Sequence, residues 1–194
     1  LRKEGILDLL LTALKRNGID PVVYEEVGVN STSSAADQAV KLIRAGKVGT
    51  VIGMGGVRAL SIAKCSAAVA PRNAPIDDYL SGFPLEDLAP DTYIPYIELP
   101  TTCRNPFLLT QSALMIDARD RSPVLLNTKC YPKTVIIDPS LSTSLTAHYS
   151  FTTLLDTLLL ALEGFLSQAS SFLSDVYFLR SSTLALELCQ GRWR

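Results

Sequence analysis

Apolar residues fall at helical spacing from the start of the chain. Ile6, Leu7, Leu9, Leu10, Leu11 and Leu14 predict a helix over residues 6–14 with a broad buried face, and Asn17-Gly18 stops it. PVVYEEV, residues 21–27, reads as a short strand, and the polar NSTSS after it caps a second helix over residues 35–44. VGTVIGMGG is apolar and β-branched before it ends in glycines, which predicts a strand and a tight turn. ALSIAKCSAAVA continues from it as an alanine-rich helix. Strand, helix, strand, glycine turn and helix, in that order, is the rhythm of a parallel α/β sheet.

Five prolines between residues 71 and 95 argue for loop. Three more strands are predicted by YIELPTT (96–102), SALMID (112–117) and TVIIDP (134–139). After Pro139 the texture changes. SLSTSLTAHYSFTTLLDTLLLALEGFLS and FLSDVYFLRSSTLALELC are both helical, and no strand pattern follows. The expectation is an α/β domain over residues 1–139 and an all-α domain over residues 140–194.

Composition narrows the function classes. The 194 residues are 47% hydrophobic and 19% charged, enough for one large core or two modest ones. A net charge of -1 with no run of Lys or Arg leaves no electrostatic footprint for nucleic acid or an anionic membrane. Cys65, Cys103, Cys130 and Cys189 are widely spaced and form no C-x-x-C pair. They read as free thiols of a reducing compartment, not as a Cys-only metal site. No apolar run reaches the roughly 18 residues that span a bilayer, and LRKEGILDLLLTAL does not read as a signal peptide. A soluble, cytoplasmic protein is expected.

Candidate chemistry lies in two places. In VIGMGGVRALSIAK, Gly53, Gly55 and Gly56 stand between a strand and a helix. Such a turn either lets backbone N–H groups approach a phosphate at a helix N-terminus or simply turns the chain tightly. Arg58 and Lys64 are the nearby cations; read locally, they are a solvated arginine and a lysine on an exposed helix face. The second place is LLDTLLLALEG, residues 154–164, where Asp156 and Glu163 sit among leucines. Asp156, Leu160 and Glu163 share one helix face. The plain alternative has Asp156 accepting hydrogen bonds near the start of its helix, where the dipole favours a carboxylate. His148 reads as a surface histidine.

Five segments, GMGGVRALSIAK, DDYLSG, ELPTT, VIIDPSLSTSL and LLDTLLLALEGFLS, resemble in order and spacing the iron-containing alcohol dehydrogenases, relatives of glycerol dehydrogenase and dehydroquinate synthase. The resemblance implies a dehydroquinate synthase-like fold: a Rossmann-like α/β domain holding NAD or NADP, then a helical domain holding a divalent metal, iron or zinc. It implies an oxidoreductase acting on a small alcohol or aldehyde that the metal polarises. A homo-oligomer is left open.

Carried over by position, the family's pyrophosphate turn GGGSxxDxAK becomes Gly55 to Lys64, keeping Gly55, Gly56 and Lys64. Val57 and Arg58 replace a glycine and the serine, and Ser61 replaces the aspartate. PTTAGTGSE begins as Pro100, Thr101 and Thr102 and continues as Cys103, Arg104, Asn105, Pro106, Phe107 and Leu108. The implied cofactor residues are Gly55, Gly56, Arg58, Lys64, Thr101 and Thr102. The metal motif GMDALTHAIEAY keeps its aspartate as Asp156, but its histidine position is Leu160. The family's two further histidines fall beyond Arg194, its first strand before Leu1. A natural remnant and part of a longer polypeptide are both consistent with that. With Leu160 in the ligand position, this chain is expected to hold no metal. No catalytic residue is assigned. The competing expectation is a non-catalytic homologue that keeps the fold for binding or assembly.

Overall fold

The structure is a computed structural model that describes residues 5–28, 31–72, 74–82 and 93–191. Contacts divide the chain into two units, Leu1–Thr143 and Ser144–Arg194.

In the first unit three helices and a parallel sheet carry the frame. The helices are α1 (Ile6–Arg16), α2 (Ser33–Ala45) and α3 (Val57–Val69); β1 (Val51–Gly55), β2 (Tyr96–Pro100) and β5 (Thr134–Val135) form the sheet in the order β1-β2-β5. The register runs from Val51 opposite Tyr96 to Gly55 opposite Pro100, with Glu98 opposite Val135. A short helix, α4 (Ile76–Leu80), starts after Pro75 inside the stretch expected to be loop. The rest of that stretch, from residue 83 to 92, lies outside the described residues. β3 (Ser112–Ile116) and β4 (Pro123–Asn127) form a separate antiparallel hairpin. The pattern had shown β3 but not β4.

Local chemistry explains most of these elements. Thr32 caps α2, its hydroxyl accepting the Ala35 N–H at 3.3 Å, and so fulfils the role expected of NSTSS. Gly18, at φ +74, follows the C-cap Asn17 of α1. α3 is buried on nearly every side, from Leu60 to Val69, and packs against α2, β1, β2 and β3. Gly53 and Gly55 make its approach to β1 feasible. A Cβ on Gly53 would meet Ala63 Cβ at 2.8 Å, and one on Gly55 would meet Ala59 Cβ at 2.7 Å. Ala36, Val40, Ile62, Cys65, Val69, Ile76 and Met115 form the main core.

Two expectations change here. Residues 21–27 form no strand. A strand needs a ladder partner at hydrogen-bonding distance, and this segment is held by side chains instead: the Tyr24 hydroxyl donates to the Ala35 carbonyl at 3.0 Å. The broad face of α1 is also only partly covered, and none of its residues is buried. Leu7, Leu10, Leu11 and Leu14 line a cavity of about 1030 Å³ whose other wall includes Val22 and Ile52. Among the described residues no strand pairs with the outer edge of β1.

A 3-10 turn, Pro139–Ser142, closes the first unit, with Asp138 accepting from the Ser140 N–H at 2.9 Å. The second unit is a helical hairpin, α5 (Ala147–Phe165) and α6 (Phe172–Cys189), joined by six residues. Thr146 caps α5 and Ser171 caps α6 with a reciprocal capping box. The two helices pack on each other, and Thr153 and Ala161 of α5 and Ser182 and Ala185 of α6 are their buried residues. The ring of Phe178 fills the space beside Gly164 that a Cβ would need. No helix among the described residues is long and apolar enough to cross a membrane.

Candidate functional site

At the C-terminal ends of β1 and β2 the parallel register brings two loops together. The chain leaves β1 through Gly55, at φ +147, and enters α3 from Gly56, its N-cap. No side chain caps that helix end, so the first-turn N–H groups point outward without intrahelical partners. Beside them β2 runs out into Thr101 and Thr102. The Thr101 N–H donates to the Gly55 carbonyl at 3.0 Å, which ties the two loops at their base. Thr102 stands against Gly56, where an added Cβ would lie 3.3 Å from its Cγ2 and 3.4 Å from its Oγ1. Behind Thr101, its carbonyl accepts from the Ser142 hydroxyl at 3.4 Å.

The structure therefore gathers Gly55, Gly56, Thr101 and Thr102 in one place. Arg58 joins them on the first turn of α3, exposed and without an ion-pair partner among the described residues. A helix N-terminus with uncapped N–H groups, a close-approach glycine and a nearby guanidinium suits an anion such as a phosphate.

Lys64 has a different setting from the solvated helix face read locally. It is 1% exposed. Its ammonium lies 3.0 Å from Glu98 Oε1 and donates to the carbonyls of Phe107 at 2.9 Å, Thr110 at 2.8 Å and Ser112 at 3.3 Å. Its N–H groups are thus engaged inside the protein. Glu98 is fully buried, and its Oε2 accepts the Leu109 N–H at 3.4 Å. Sequence reasoning had passed over Glu98, although a carboxylate in the middle of the apolar YIELP signals a buried partner. Ser61, in the family's aspartate position, holds β3 through the Leu114 N–H at 3.1 Å.

Burial governs the titratable groups around the sheet. It pushes the Cys65 thiol up to about 12, with the Cys130 thiol likewise at about 12. Desolvation, with Glu98 as the next cause, holds the Tyr96 phenol above its ordinary range; its hydroxyl donates to the Leu60 carbonyl at 3.1 Å. These groups are held neutral at ordinary pH.

Asp156 lies in the second unit, in the middle of α5, with its side chain half-buried. It is far from the first turn, so the alternative in which the helix start stabilises it does not hold. Leu160, one turn on, is 48% exposed, and Glu163 is exposed. Among the described residues no three His, Cys, Asp or Glu side chains come together as a metal-binding group. Asp156 and Leu160 together bring one of the three or more protein ligands that a divalent metal needs.

Comparison with known proteins agrees with the architecture. A sequence model described as iron-containing alcohol dehydrogenase matches residues 1–139. Long-chain-alcohol dehydrogenase 1 of Geobacillus thermodenitrificans is 29% identical over 175 residues, 90% of this chain and 44% of that protein. Sulfoacetaldehyde reductase of Bilophila wadsworthia is 25% identical over 185 residues, 95% of this chain and 47% of that protein. Among solved structures, sulfoacetaldehyde reductase from Bifidobacterium kashiwanohense in complex with NAD+ superposes with a TM-score of 0.85. It is 23% identical and covers 95% of this chain and 48% of the other, a likeness of fold. The chain spans about half the length of the curated relatives it matches. On the match over residues 1–139, it belongs to the iron-containing alcohol dehydrogenase family.

Proposed function

We propose that this chain carries the nucleotide-binding half of an NAD(P)-linked oxidoreductase that interconverts a small alcohol and its aldehyde. The observation that carries the reading is the uncapped start of α3 at Gly56, set beside Thr101 and Thr102 at the ends of two parallel strands. Ligands of parallel α/β sheets bind outside the carboxyl ends of the strands. NAD(P), when bound, supplies or accepts the hydride.

The chain's own residues bind and orient. Gly55 and Gly56 keep side chains out of the way of the phosphates, and the first-turn N–H groups of α3 donate to them. Arg58 adds a positive charge where the family has a serine, and the Thr102 hydroxyl borders the same mouth. Asp156 occupies the family's first metal-ligand position. Among the described residues it is joined there by Leu160, which offers a metal no ligand atom.

Fluorescence titration with NADH and NADPH tests the reading on wild type and on Arg58→Ala. Saturable binding, weakened in Arg58→Ala, supports it. A wild-type protein that leaves millimolar nucleotide unbound would overturn it and favour the non-catalytic homologue.

A further inference from the structure

Lys64 and Glu98 put two charges inside the first unit, their side chains 2% and 0% exposed. Apolar side chains of similar volume would fill that space without the desolvation cost of two ions. What apolar groups lack is directional bonding, and here, beside the ion pair itself and the Tyr96 phenol next to Glu98, the bonds run to one segment. Lys64 donates to the carbonyls of Phe107, Thr110 and Ser112, while Glu98 accepts the Leu109 N–H. Leu109 sits at φ +62, backbone that a leucine adopts only when its surroundings impose it.

The gripped segment is the return arm of the loop that leaves β2 at Thr101–Thr102. Lys64 belongs to the helix whose N-terminus forms the glycine turn, and Glu98 to the strand that carries Thr101. Together they fasten one end of the loop to the two elements that frame the turn. We propose that Lys64 and Glu98 are positioning residues: by anchoring residues 107–112 they hold Thr101 and Thr102 against Gly55 and Gly56 in the geometry that receives the nucleotide. The functional half of this proposal rests on the nucleotide reading above.

The test uses the double variant Lys64→Met/Glu98→Leu, which removes the charges and keeps the volume. Arg104 is exposed in the loop and offers trypsin a cleavage site at the Arg104–Asn105 bond. The expected result is an unfolding midpoint close to wild type, cleavage at Arg104 about tenfold faster, and a roughly tenfold higher Kd for NADH. A purely structural pair predicts instead a lowered midpoint, with cleavage and affinity changed only in step with it. Glu98→Gln keeps shape and an acceptor, and guards against a double variant that fails to fold; it should speed cleavage about threefold.

Unchanged cleavage in whichever variants fold overturns the proposal. So does faster cleavage with a Kd equal to that of a wild type that binds NADH. Faster cleavage in a chain whose wild type ignores NADH supports the anchoring and removes the nucleotide reading alone.

Discussion

The hydroxyl of Tyr96 occupies the space that any side chain at Gly53 would need: a Cβ there would lie 2.7 Å from Tyr96 Oη. The same Cβ would lie 2.8 Å from Ala63 Cβ, so neither wall can yield without moving α3 or β2. Gly53→Ala should therefore destabilise the first unit by about 1–3 kcal/mol, the usual cost of overpacking a filled core. Tyr96→Phe in the same chain removes the nearest obstructing atom, leaving the ring carbon Cε2 at 3.0 Å and Ala63, and should recover part of that loss. Urea midpoints of the three variants check it; an additive pair of losses would mean that the two residues do not compete for space.

At Gly56 the contact is looser and the backbone ordinary, with φ -85. A methyl group there would sit 3.3 Å from Thr102 Cγ2, close enough to need a small shift of a side chain that is not deeply buried. The fold should tolerate Gly56→Ala within about 1 kcal/mol. Its methyl would nonetheless stand in the mouth between the two loops, so NADH affinity should fall about tenfold, equivalent to about 1.4 kcal/mol. A Gly56→Ala protein that binds NADH as wild type does would place the nucleotide elsewhere.

What could be read from the sequence was local. A cap within NSTSS, the strand that ends in glycines and the helix beyond it depend on neighbours a few residues away, and those predictions match the elements found. Residues 21–27 carry a strand's composition but lack a ladder partner among the described residues, which no window of sequence reveals. β4 was missed because Pro123 opens a short run whose pairing with β3 is set by a turn through Asp117 and Ser122. At the site, Gly55, Gly56, Thr101 and Thr102 could be named from their motifs. The burial of Lys64 could not, because its partners come from β2 and the following loop and only the fold brings them together.

The cysteines give a chemical readout of the same packing. Cys65 and Cys130 are buried, with thiols pushed up to about 12, while Cys103 and Cys189 are exposed. The thiolate is the reactive form, so iodoacetamide at pH 8 should alkylate Cys103 and Cys189 quickly and the other two only in denaturant. Mass spectrometry of tryptic peptides separates the four. Rapid modification of Cys65 under native conditions would contradict the packing of α3.

Acid should loosen the β3–β4 turn over a defined range. Asp117 accepts from the guanidinium and, next in weight, the backbone N–H of Arg119, and these bonds hold its carboxyl down to about 2 from an ordinary 3.8. A carboxyl whose folded pKa is depressed contributes stability that is fully present above its unfolded pKa and is lost as pH falls through the folded one. Wild type should therefore exceed Asp117→Asn in stability from pH 7 down to about pH 4, and the difference should shrink as the pH approaches 2. Paired urea titrations at pH 7, 4 and 2.5 measure it. A difference that holds constant to pH 2.5 would assign the stabilisation to something other than this carboxylate.

Leu160 offers the sharpest test of the second unit. It lies one turn after Asp156 on α5 and is 48% exposed, so Leu160→His should leave the hairpin's buried seam intact. The imidazole and the Asp156 carboxylate would then share one helix face at i and i+4, spacing that suits two ligands of one ion. The 194-residue wild-type chain should hold no stoichiometric iron or zinc. Leu160→His should bind Co2+ at least about tenfold more tightly than wild type does, because affinity grows with each ligand of a preformed site. Adding Asp156→Asn should cancel the gain, which separates a two-ligand site from a histidine acting alone. Elemental analysis and Co2+ absorbance titrations supply the measurements. One tightly held metal per wild-type chain would show that Leu160 has not cost this helix its ion.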